Sequence, residues 1–463
     1  MNLTRRAWLK GLGLLGLGST MGGLERALAA TGGPGSPLLI HCTFDGGWDQ
    51  LMALDPRDAT QYGPESVIHP AYDLLADADT QAMLAATGGT GIIRPAGSAI
   101  AFGPAMGALT QHYGRLCVIR GMTMETVTHD VGRRYFLTGK FPQGLAANGS
   151  ALGTVVAAAV GDERPVPNLV VAGESYNAGL PLFASGLSVR RSADLLSVLS
   201  RLGAPLPDAS QQAVDAWHTA EKCSDRLYDG EGAVTAWADA RDRAAVLASG
   251  QLGSHFQFTK APSAEIQALY SAFGVDTSSN QALTGDLGGA KGFAMIAAQA
   301  ITQGVAQCVS IPLVSSLIDD HDDNWTTGHA PALRAGFDAL ASLVKVLETT
   351  KDESGVAYIE RTLILVTSDF ARTPRLNARG GRDHHLASSC LLLGRGIAGN
   401  RVIGATRDDN FGEQPVDPET GLVAEGGVLV RPADVHATLL TALGLGTDSV
   451  SNQNPTVLQA ALA

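Results

Sequence analysis

The part of the sequence that decides the fold runs from VAQCVSIPLV (305–314) to TLILVTS (362–368). Both segments are short and continuously apolar, which is typical of strands buried on both faces of a sheet. Apolar residues recur between them at spacings of four, three, four and three, at Leu333, Phe337, Leu340, Val344 and Leu347. This spacing forms one stripe on a helix. The whole stretch therefore predicts a strand–helix–strand crossover within a mostly parallel sheet.

Similar segments occur on both sides of this unit. Further buried strands are predicted at PLLIHCTF (37–44), RLCVIRG (115–121), NLVVAG (168–173) and SCLLLG (389–394). RPADVHATLLTALGLG (431–446) predicts a closing helix, with proline at its start and glycine at its end. We expect a three-layer α/β domain over 36–446, in which a mostly parallel central sheet carries helices on both faces. Residues 201–290, rich in Ala, Asp, Ser and Gln, predict a helical insertion or cap within it.

The first 29 residues resemble an export signal. Arg5 and Arg6 precede a short, glycine-diluted apolar run, and Ala27-Leu28-Ala29 has the small-x-small pattern of a cleavage site. Paired arginines favour the twin-arginine export machinery, which carries folded proteins. An uncleaved anchor is the alternative, but the run is shorter than the ~20 apolar residues that span a bilayer. We therefore predict a periplasmic or secreted protein.

The net charge indicates which partners the chain can bind, and the cysteine content indicates whether it forms disulfide bonds. Cleavage after residue 29 would remove four basic residues and Glu25, which shifts the net charge from −12 to −15. So acidic a protein is a poor ligand for nucleic acid or for an anionic membrane surface. Five cysteines in so long a chain do not form a disulfide framework, and four of them lie in strand-like runs, which favours buried thiols.

Polar residues suited to metal binding follow the ends of several predicted strands. The segments are FDGGWD (44–49), THD (128–130), DDHDDNW (319–325) and TSDFARTPRLNARGGRDHH (367–385). Mixed aspartate and histidine ligands favour Zn²⁺, Mn²⁺ or a similar first-row ion, and ligands gather at the carboxyl ends of parallel strands. Each segment alone is as readily a helix cap or turn, so the prediction depends on their convergence at one sheet edge.

Arginines accompany two of these segments. Arg372, Arg375, Arg379 and Arg382 fall within eleven residues, and Arg133-Arg134 follow the THD segment. Guanidinium groups suit phosphate, sulfate or carboxylate, so Arg133 and Arg372 are candidates for binding an anionic substrate. The alternative is that these arginines pair with the nearby aspartates.

Taken together, these segments resemble the domain-of-unknown-function 1501 family, a set of exported, sulfatase-like proteins within the alkaline phosphatase/sulfatase superfamily. FDGGWD, DDHDDN and TSDFARTPRLN with GGRDHH carry the resemblance, which extends from about residue 37 to 446. RRYFLTGKFP (133–142) is also similar to the helix after the nucleophile in sulfatases. The resemblance implies an alkaline phosphatase-like fold and a second exported protein as a partner class; the oligomeric state stays open.

The resemblance also implies a site with one or two divalent ions. One ion would be held by Asp319, His321 and His384, and the other by Asp45 and Asp369. Such ions would act on a small anionic ester substrate, as two-metal centres do. The sequence departs from the superfamily in two ways that bear on this site. Phe370 stands where His or Asn commonly follows the aspartate, and no C-x-P-x-R motif is present.

These departures leave the catalytic residues open. The sulfatase spacing, counted back from Thr138-Gly139, reaches His129, and Thr128 is one residue away. The first hypothesis is an exported metal-dependent hydrolase of phosphate or sulfate esters, with Thr128 as nucleophile and His129 as catalytic residue or metal ligand. The second is a non-catalytic metal- or ligand-binding or assembly protein on the same scaffold. The third is an α/β protein whose aspartates and histidines are all structural.

Overall fold

The fold is built on one eight-stranded sheet. The computed structural model describes residues 35–161, 163–200 and 252–463, with scattered residues between 207 and 220. The strands of the sheet are β1 (Leu38–Phe44), β2 (Leu116–Thr123), β3 (Val166–Val171), β4 (Leu187–Val189), β5 (Ala306–Pro312), β6 (Thr362–Ser368), β9 (Ala387–Gly394) and β10 (Arg401–Ile403). A separate two-stranded ribbon pairs β7 (Ala371–Arg372) with β8 (His384–His385).

The order across the sheet is β10-β2-β9-β6-β1-β5-β3-β4. The sheet is parallel except at β9, which is antiparallel to both of its neighbours, β2 and β6. At its centre β1 pairs with β5 on one side and with β6 on the other, with Leu39 opposite Cys308 and Leu363. The predicted mostly parallel sheet is confirmed. The antiparallel direction of β9 matters for the site, because it brings the residues before β9 to the carboxyl edge of the parallel strands.

Helices cover both faces of the sheet. They are α1 (Ala78–Ala86), α2 (His129–Thr138), α3 (Leu152–Val160), α4 (Ser192–Leu199), α5 (Ala264–Phe273), α6 (Asn280–Leu287), α7 (Ala290–Thr302), α8 (Ala330–Thr349) and α9 (Pro432–Ala442). Alternate residues of β1 belong to two separate apolar cores: Leu38 and Ile40 pack with α7 and α8, whereas Leu39 packs with α2, α3 and α9. This alternation is the two-residue period of a strand buried on both faces, and the predicted three layers are confirmed.

The predicted strands and helices lie close to the observed ones. The crossover helix α8 extends from Ala330 to Thr349, and α9 begins at Pro432 as expected but ends at Ala442, two residues before Gly444. The signal segment 1–29 and most of 201–251 lie outside the described residues. In the rest of the predicted insertion, α5 and α6 place Ile266 and Leu283 in the same core as α7 and α8. The insertion as a unit stays a prediction.

Two further observations concern the described part of the chain. None of its helices combines the length and apolar character that crossing a membrane requires. Cys42, Cys117, Cys308 and Cys390 are buried, unpaired thiols. Burial raises the pKa of the Cys117 thiol to about 12, since it disfavours the thiolate. These cysteines behave as small apolar core residues.

Candidate metal centre

The polar segments meet at the carboxyl edge of the sheet. Asp45 directly follows β1 and Asp369 directly follows β6, which is its neighbour in the sheet. Asp319 lies seven residues beyond the end of β5, the other neighbour of β1. His384 belongs to β8 just before β9, and the antiparallel direction of β9 returns it to this edge. Three connections therefore supply one site, the one after β1, the one after β5 and the one between β6 and β9.

A glycine allows the loops after β1 and β5 to touch. Gly46 has a φ of +112°, and a Cβ atom there would lie 2.4 Å from the backbone nitrogen of Ile318. The Ile318 N–H donates to the carbonyl of Asp45 at 3.0 Å. Any larger residue at position 46 would be strained and would also separate these backbones. This contact brings Asp319, the next residue, to the end of β1.

A second glycine places α2 against β6. A Cβ atom at Gly132 would lie 2.1 Å from the carbonyl oxygen of Asp369, so the first turn of α2 packs directly on that backbone. His129 is the first residue of α2, and Thr128 precedes it as the N-cap. The close approach puts His129 Nδ1 2.7 Å from Asp369 Oδ2.

Three imidazole rings surround one carboxylate oxygen. The distances from Asp319 Oδ1 are 3.2 Å to His129 Nε2, 3.0 Å to His321 Nε2 and 3.2 Å to His384 Nε2. Ligand atoms of His129, Asp319 and His384 all lie within 4.8 Å of one another, a spacing at which they could hold one metal ion. His321 Nε2 lies 2.9 Å from His384 Nε2. The structure thus brings together His321 and His384, which are 63 residues apart in sequence.

The δ nitrogens of these rings face groups that accept hydrogen bonds. His129 Nδ1 contacts Asp369 Oδ2 at 2.7 Å, and His321 Nδ1 contacts Asp383 Oδ1 at 2.9 Å. His384 Nδ1 lies 2.7 Å from the carbonyl oxygen of Val127. A backbone carbonyl or an ionised carboxylate can only accept, so each δ nitrogen carries the proton. In a neutral ring the ε nitrogen then presents its lone pair toward Asp319.

The Arg372 side chain contacts the backbone around this cluster and Asp319 itself. It is fully buried and donates to backbone carbonyls, to Gly46, Gly47 at 2.9 Å, Ile318 at 3.2 Å and Arg382 at 3.1 Å. It also donates to Asp319 Oδ1 at 2.6 Å. Partial burial opposes ionisation of Asp319, but the hydrogen bond and positive charge of Arg372 hold its pKa well below the usual value. Asp319 is therefore an anion facing three imidazoles. An anion-binding role for Arg372 stays a prediction, because its donors face groups of the protein.

Asp45 differs in environment from Asp319. Its Oδ1 is enclosed and, among the described residues, has no hydrogen-bond partner. Burial, reinforced by the charge of Asp369, raises the pKa of Asp45 to about 6. Arg133, one turn along α2 from His129, partly offsets this through its charge. Arg133 itself pairs with Asp130 at 2.5 Å and Glu174 at 3.2 Å.

Two other residues bear on catalysis. The side chain of Thr128 is exposed and makes no capping hydrogen bond to α2, while its N–H donates to Thr126 Oγ1 at 3.1 Å. Phe370 is completely buried, and its ring centroid lies 4.6 Å from that of His129 and 4.4 Å from that of His384. The aromatic ring thus fills space behind two of the imidazoles. The nucleophilic role of Thr128 stays a prediction.

A buried polar network, missed in the sequence analysis, supports the site. Asp49 Oδ2 accepts from Trp325 Nε1 at 3.0 Å and pairs with Arg382 Nε at 2.9 Å. His329 Nε2 accepts the N–H of Asp49 at 3.0 Å, so its Nδ1 donates to Asp320 at 2.8 Å. Asp49, a candidate in the FDGGWD segment, is therefore satisfied within the protein. No local signal separates such a residue from Asp45, four positions earlier.

The donor set fits a divalent cation. His129 Nε2 is enclosed and makes no hydrogen bond in the part of the chain that the structure describes, although it lies 3.2 Å from Asp319 Oδ1. Imidazole nitrogens with a carboxylate oxygen suit Zn²⁺ or Mn²⁺. The surrounding carboxylates, Asp45, Asp369 and Asp383, add negative potential that favours a cation. The fold and this cluster define the class: an α/β protein with a candidate metal centre at the carboxyl edge of its sheet.

Comparison with known proteins gives the family. Residues 37–454 match the model described as "Protein of unknown function (DUF1501)", and the chain belongs to that family. The family predicted from the three quoted segments is thereby confirmed. Among curated proteins, none matches the sequence.

Several solved structures are similar to this chain at low sequence identity. The protein Ps i-CgsB is 8% identical, with 91% of this chain and 75% of that chain covered and a TM-score of 0.38. The lipoteichoic acid synthase LtaP from Listeria monocytogenes is 10% identical, with 95% and 78% covered and a TM-score of 0.35. The PsFucS1 sulfatase from Pseudoalteromonas sp. is 11% identical, with 92% and 72% covered and a TM-score of 0.35.

Proposed function

We propose that this protein is an exported, metal-dependent hydrolase of phosphate or sulfate esters. The ion would be Zn²⁺ or Mn²⁺, held by His129, Asp319 and His384, with His321 as a further ligand. The observation that carries the proposal is the convergence of three imidazole ε nitrogens on Asp319 Oδ1 at 3.0 to 3.2 Å. The proposal is also supported by the resemblance to the alkaline phosphatase/sulfatase superfamily, since Asp319, His321 and His384 lie in segments that carry it.

The chain's own residues divide the work as follows. A divalent ion in this place would neutralise charge on the oxygens of a phosphoryl or sulfuryl group. Asp319, kept ionised by Arg372, supplies the negative ligand, and the imidazoles supply neutral ones. Arg133 lies one turn from His129 and would hold a remaining oxygen of the ester, although it must exchange contacts with Asp130 or Glu174 to do so. Thr128, exposed at the start of α2, is the candidate nucleophile.

The proposed location follows from the leader. The paired arginines of residues 1–29 would direct the chain to the twin-arginine machinery, which fits a protein that acquires its metal while folded. A small anionic ester in the periplasm would be the substrate. The route is tested with a reporter protein fused to residues 1–29. Retention of the reporter in the cytoplasm when Arg5→Lys and Arg6→Lys are combined would support it.

The proposal is tested by metal content and turnover measured on the same preparations. Purified protein is loaded with Zn²⁺ or Mn²⁺, dialysed, analysed for metal and assayed against para-nitrophenyl phosphate and sulfate. Asp319→Ala should lose both the ion and turnover. Asp322→Ala is the matched control, because Asp322 lies in the same segment but pairs with the exposed Arg379 at 3.1 Å. Equal metal content in the two variants would contradict the proposed site.

A second candidate function is a non-catalytic binding or assembly protein on the same scaffold. Two observations favour it: Phe370 stands where the superfamily commonly has a ligand, and the Thr128 side chain makes no capping hydrogen bond to α2 that would orient it. Metal that is lost in Asp319→Ala, together with no turnover of any ester in the wild type, would support this function over the hydrolase.

A further inference from the structure

Two of the three histidines in the cluster face a carboxylate through the δ nitrogen. His129 Nδ1 faces Asp369 at 2.7 Å and His321 Nδ1 faces Asp383 at 2.9 Å. We propose that Asp369 is a positioning residue that orients His129, and that the centre holds a single ion rather than two. This inference rests on the metal site of the proposed function and replaces the expectation of a second ion held by Asp45 and Asp369.

The oxygen of Asp369 that faces the site is already used. Its Oδ2 accepts the Gly46 N–H at 3.0 Å as well as the Nδ1–H of His129 at 2.7 Å. The Asp369 side chain is almost completely buried. A cation bound to this oxygen would have to displace the imidazole proton or the backbone donor. The same hydrogen bond instead fixes the His129 tautomer in which Nε2 bears the lone pair, as carboxylate–histidine–metal triads do.

The residue after Asp369 packs against two histidines of the cluster. The Phe370 ring lies 4.6 Å from the His129 ring and 4.4 Å from the His384 ring, and it has no exposed surface. An aromatic ring offers no lone pair to a cation. The position next to Asp369 therefore packs the imidazoles in place, and Asp45 and Asp369 are left as a pair of carboxylates without a nitrogen ligand of their own.

Asp383 should orient His321 as Asp369 orients His129, but less strongly. It is about half exposed, and Asn377 Nδ2 donates to the same Oδ1 at 3.0 Å. Solvent can replace such a partner more readily than it can replace Asp369. We therefore expect Asp383 to contribute less to the orientation of its histidine.

The experiment measures stoichiometry, affinity and ligand geometry separately from turnover. Apo-protein is titrated with Zn²⁺ by calorimetry, and the Co²⁺-substituted protein is examined by visible absorption. The wild type should bind one ion per chain. Asp369→Ala should still bind one ion, but 10- to 100-fold more weakly and with a changed Co²⁺ spectrum. Asp369→Asn, whose amide oxygen can still accept from His129, should recover part of the affinity. Thermal unfolding of each apo-variant checks that the fold is intact.

Asp45→Asn is the matched control, because Asp45 ends the neighbouring strand and carries the same charge. It should leave the stoichiometry at one. Two ions in the wild type, falling to one in Asp45→Asn or Asp369→Ala, would overturn the single-ion inference and leave the metal-dependent function standing. Unchanged affinity and spectrum in Asp369→Ala would overturn the positioning role. A wild type that binds no ion would instead overturn the proposed function, so the two failures are distinguishable.

Discussion

The ε nitrogens of His321 and His384 lie 2.9 Å apart. Each ring already donates its δ proton, to Asp383 and to the Val127 carbonyl, so two lone pairs face each other in the neutral state. Arg372 Nη1 also lies 3.4 Å from His321 Nε2. A shared cation would relieve the repulsion between the lone pairs and would also satisfy Asp319.

The adjacent histidines of β8 provide a sharp test of this arrangement. His384 Nε2 points at Asp319, whereas His385 Nδ1 accepts the N–H of Ala387 at 3.2 Å, away from the cluster. We expect His384→Ala to lower the affinity for Zn²⁺ by at least about 100-fold, since one direct ligand is lost. His385→Ala should change it less than about threefold. Calorimetric titration of both variants measures the difference, and similar losses would argue against His384 as a ligand.

Arg372 should stabilise the loops after β1 and β5 as well as keep Asp319 ionised. Lysine carries three donors on one nitrogen and cannot reach all the carbonyls that the guanidinium contacts. We expect Arg372→Lys to lower the free energy of unfolding by about 3 kcal/mol, because buried carbonyls are left without donors. Arg379→Lys, at the exposed pair with Asp322, should change it by less than about 0.5 kcal/mol. Urea unfolding of the apo-variants compares them. A comparably small loss for both would show that the buried contacts of Arg372 are dispensable.

Phe370 should contribute to stability through packing. Its ring is completely buried against two imidazoles, so Phe370→Ala leaves a cavity and should cost about 3 to 5 kcal/mol. Phe141 is 38% exposed and offers a matched control, for which we expect a loss of about 1 kcal/mol. Urea unfolding again gives the comparison. If Phe370→Ala proved as mild as Phe141→Ala, the ring would not be a packing support for the histidines.

Two buried histidines outside the site should make the fold sensitive to acid. Burial lowers the pKa of His41 to about 3 and that of His436 to about 4, from 6.5 when unfolded. Between the folded-state pKa values and 6.5, the unfolded chain binds more protons than the folded chain. The free energy of unfolding is therefore greatest above pH 6.5 and falls as the pH falls. As the pH falls from 6.5 to 5, each histidine should lower the free energy of unfolding by about 2 kcal/mol.

The acid sensitivity is checked by urea unfolding of apo-protein at pH 7 and pH 5. In His436→Gln the amide can still donate to the Phe136 carbonyl, which the ring contacts at 2.6 Å. That variant should lose about 2 kcal/mol less than the wild type between the two pH values. An unchanged difference would mean that His436 is not kept neutral by burial.

The sequence by itself determined the layers of this protein and the edge of the sheet where its candidate site lies. Apolar runs and the spacing in α8 depend on neighbours within one element, so strands such as β1 and β6 could be predicted closely. The polar residues after them, Asp45 and Asp369, could be placed at one edge because parallel strands share the direction of their carboxyl ends.

Only the tertiary structure decided which of these polar residues belong together. The direction of β9 depends on pairing with β2 and β6, contacts between residues far apart in sequence, and together with the β7–β8 pairing it returns His384 to the site. Asp49 and Asp45 look alike in sequence, yet Asp49 is satisfied by Arg382 and Trp325, whereas one oxygen of Asp45 has no hydrogen-bond partner among the described residues. Hydrogen-bond partners depend on three-dimensional packing. The tautomers that direct the ε nitrogens toward Asp319 therefore could not be predicted from any local sequence pattern.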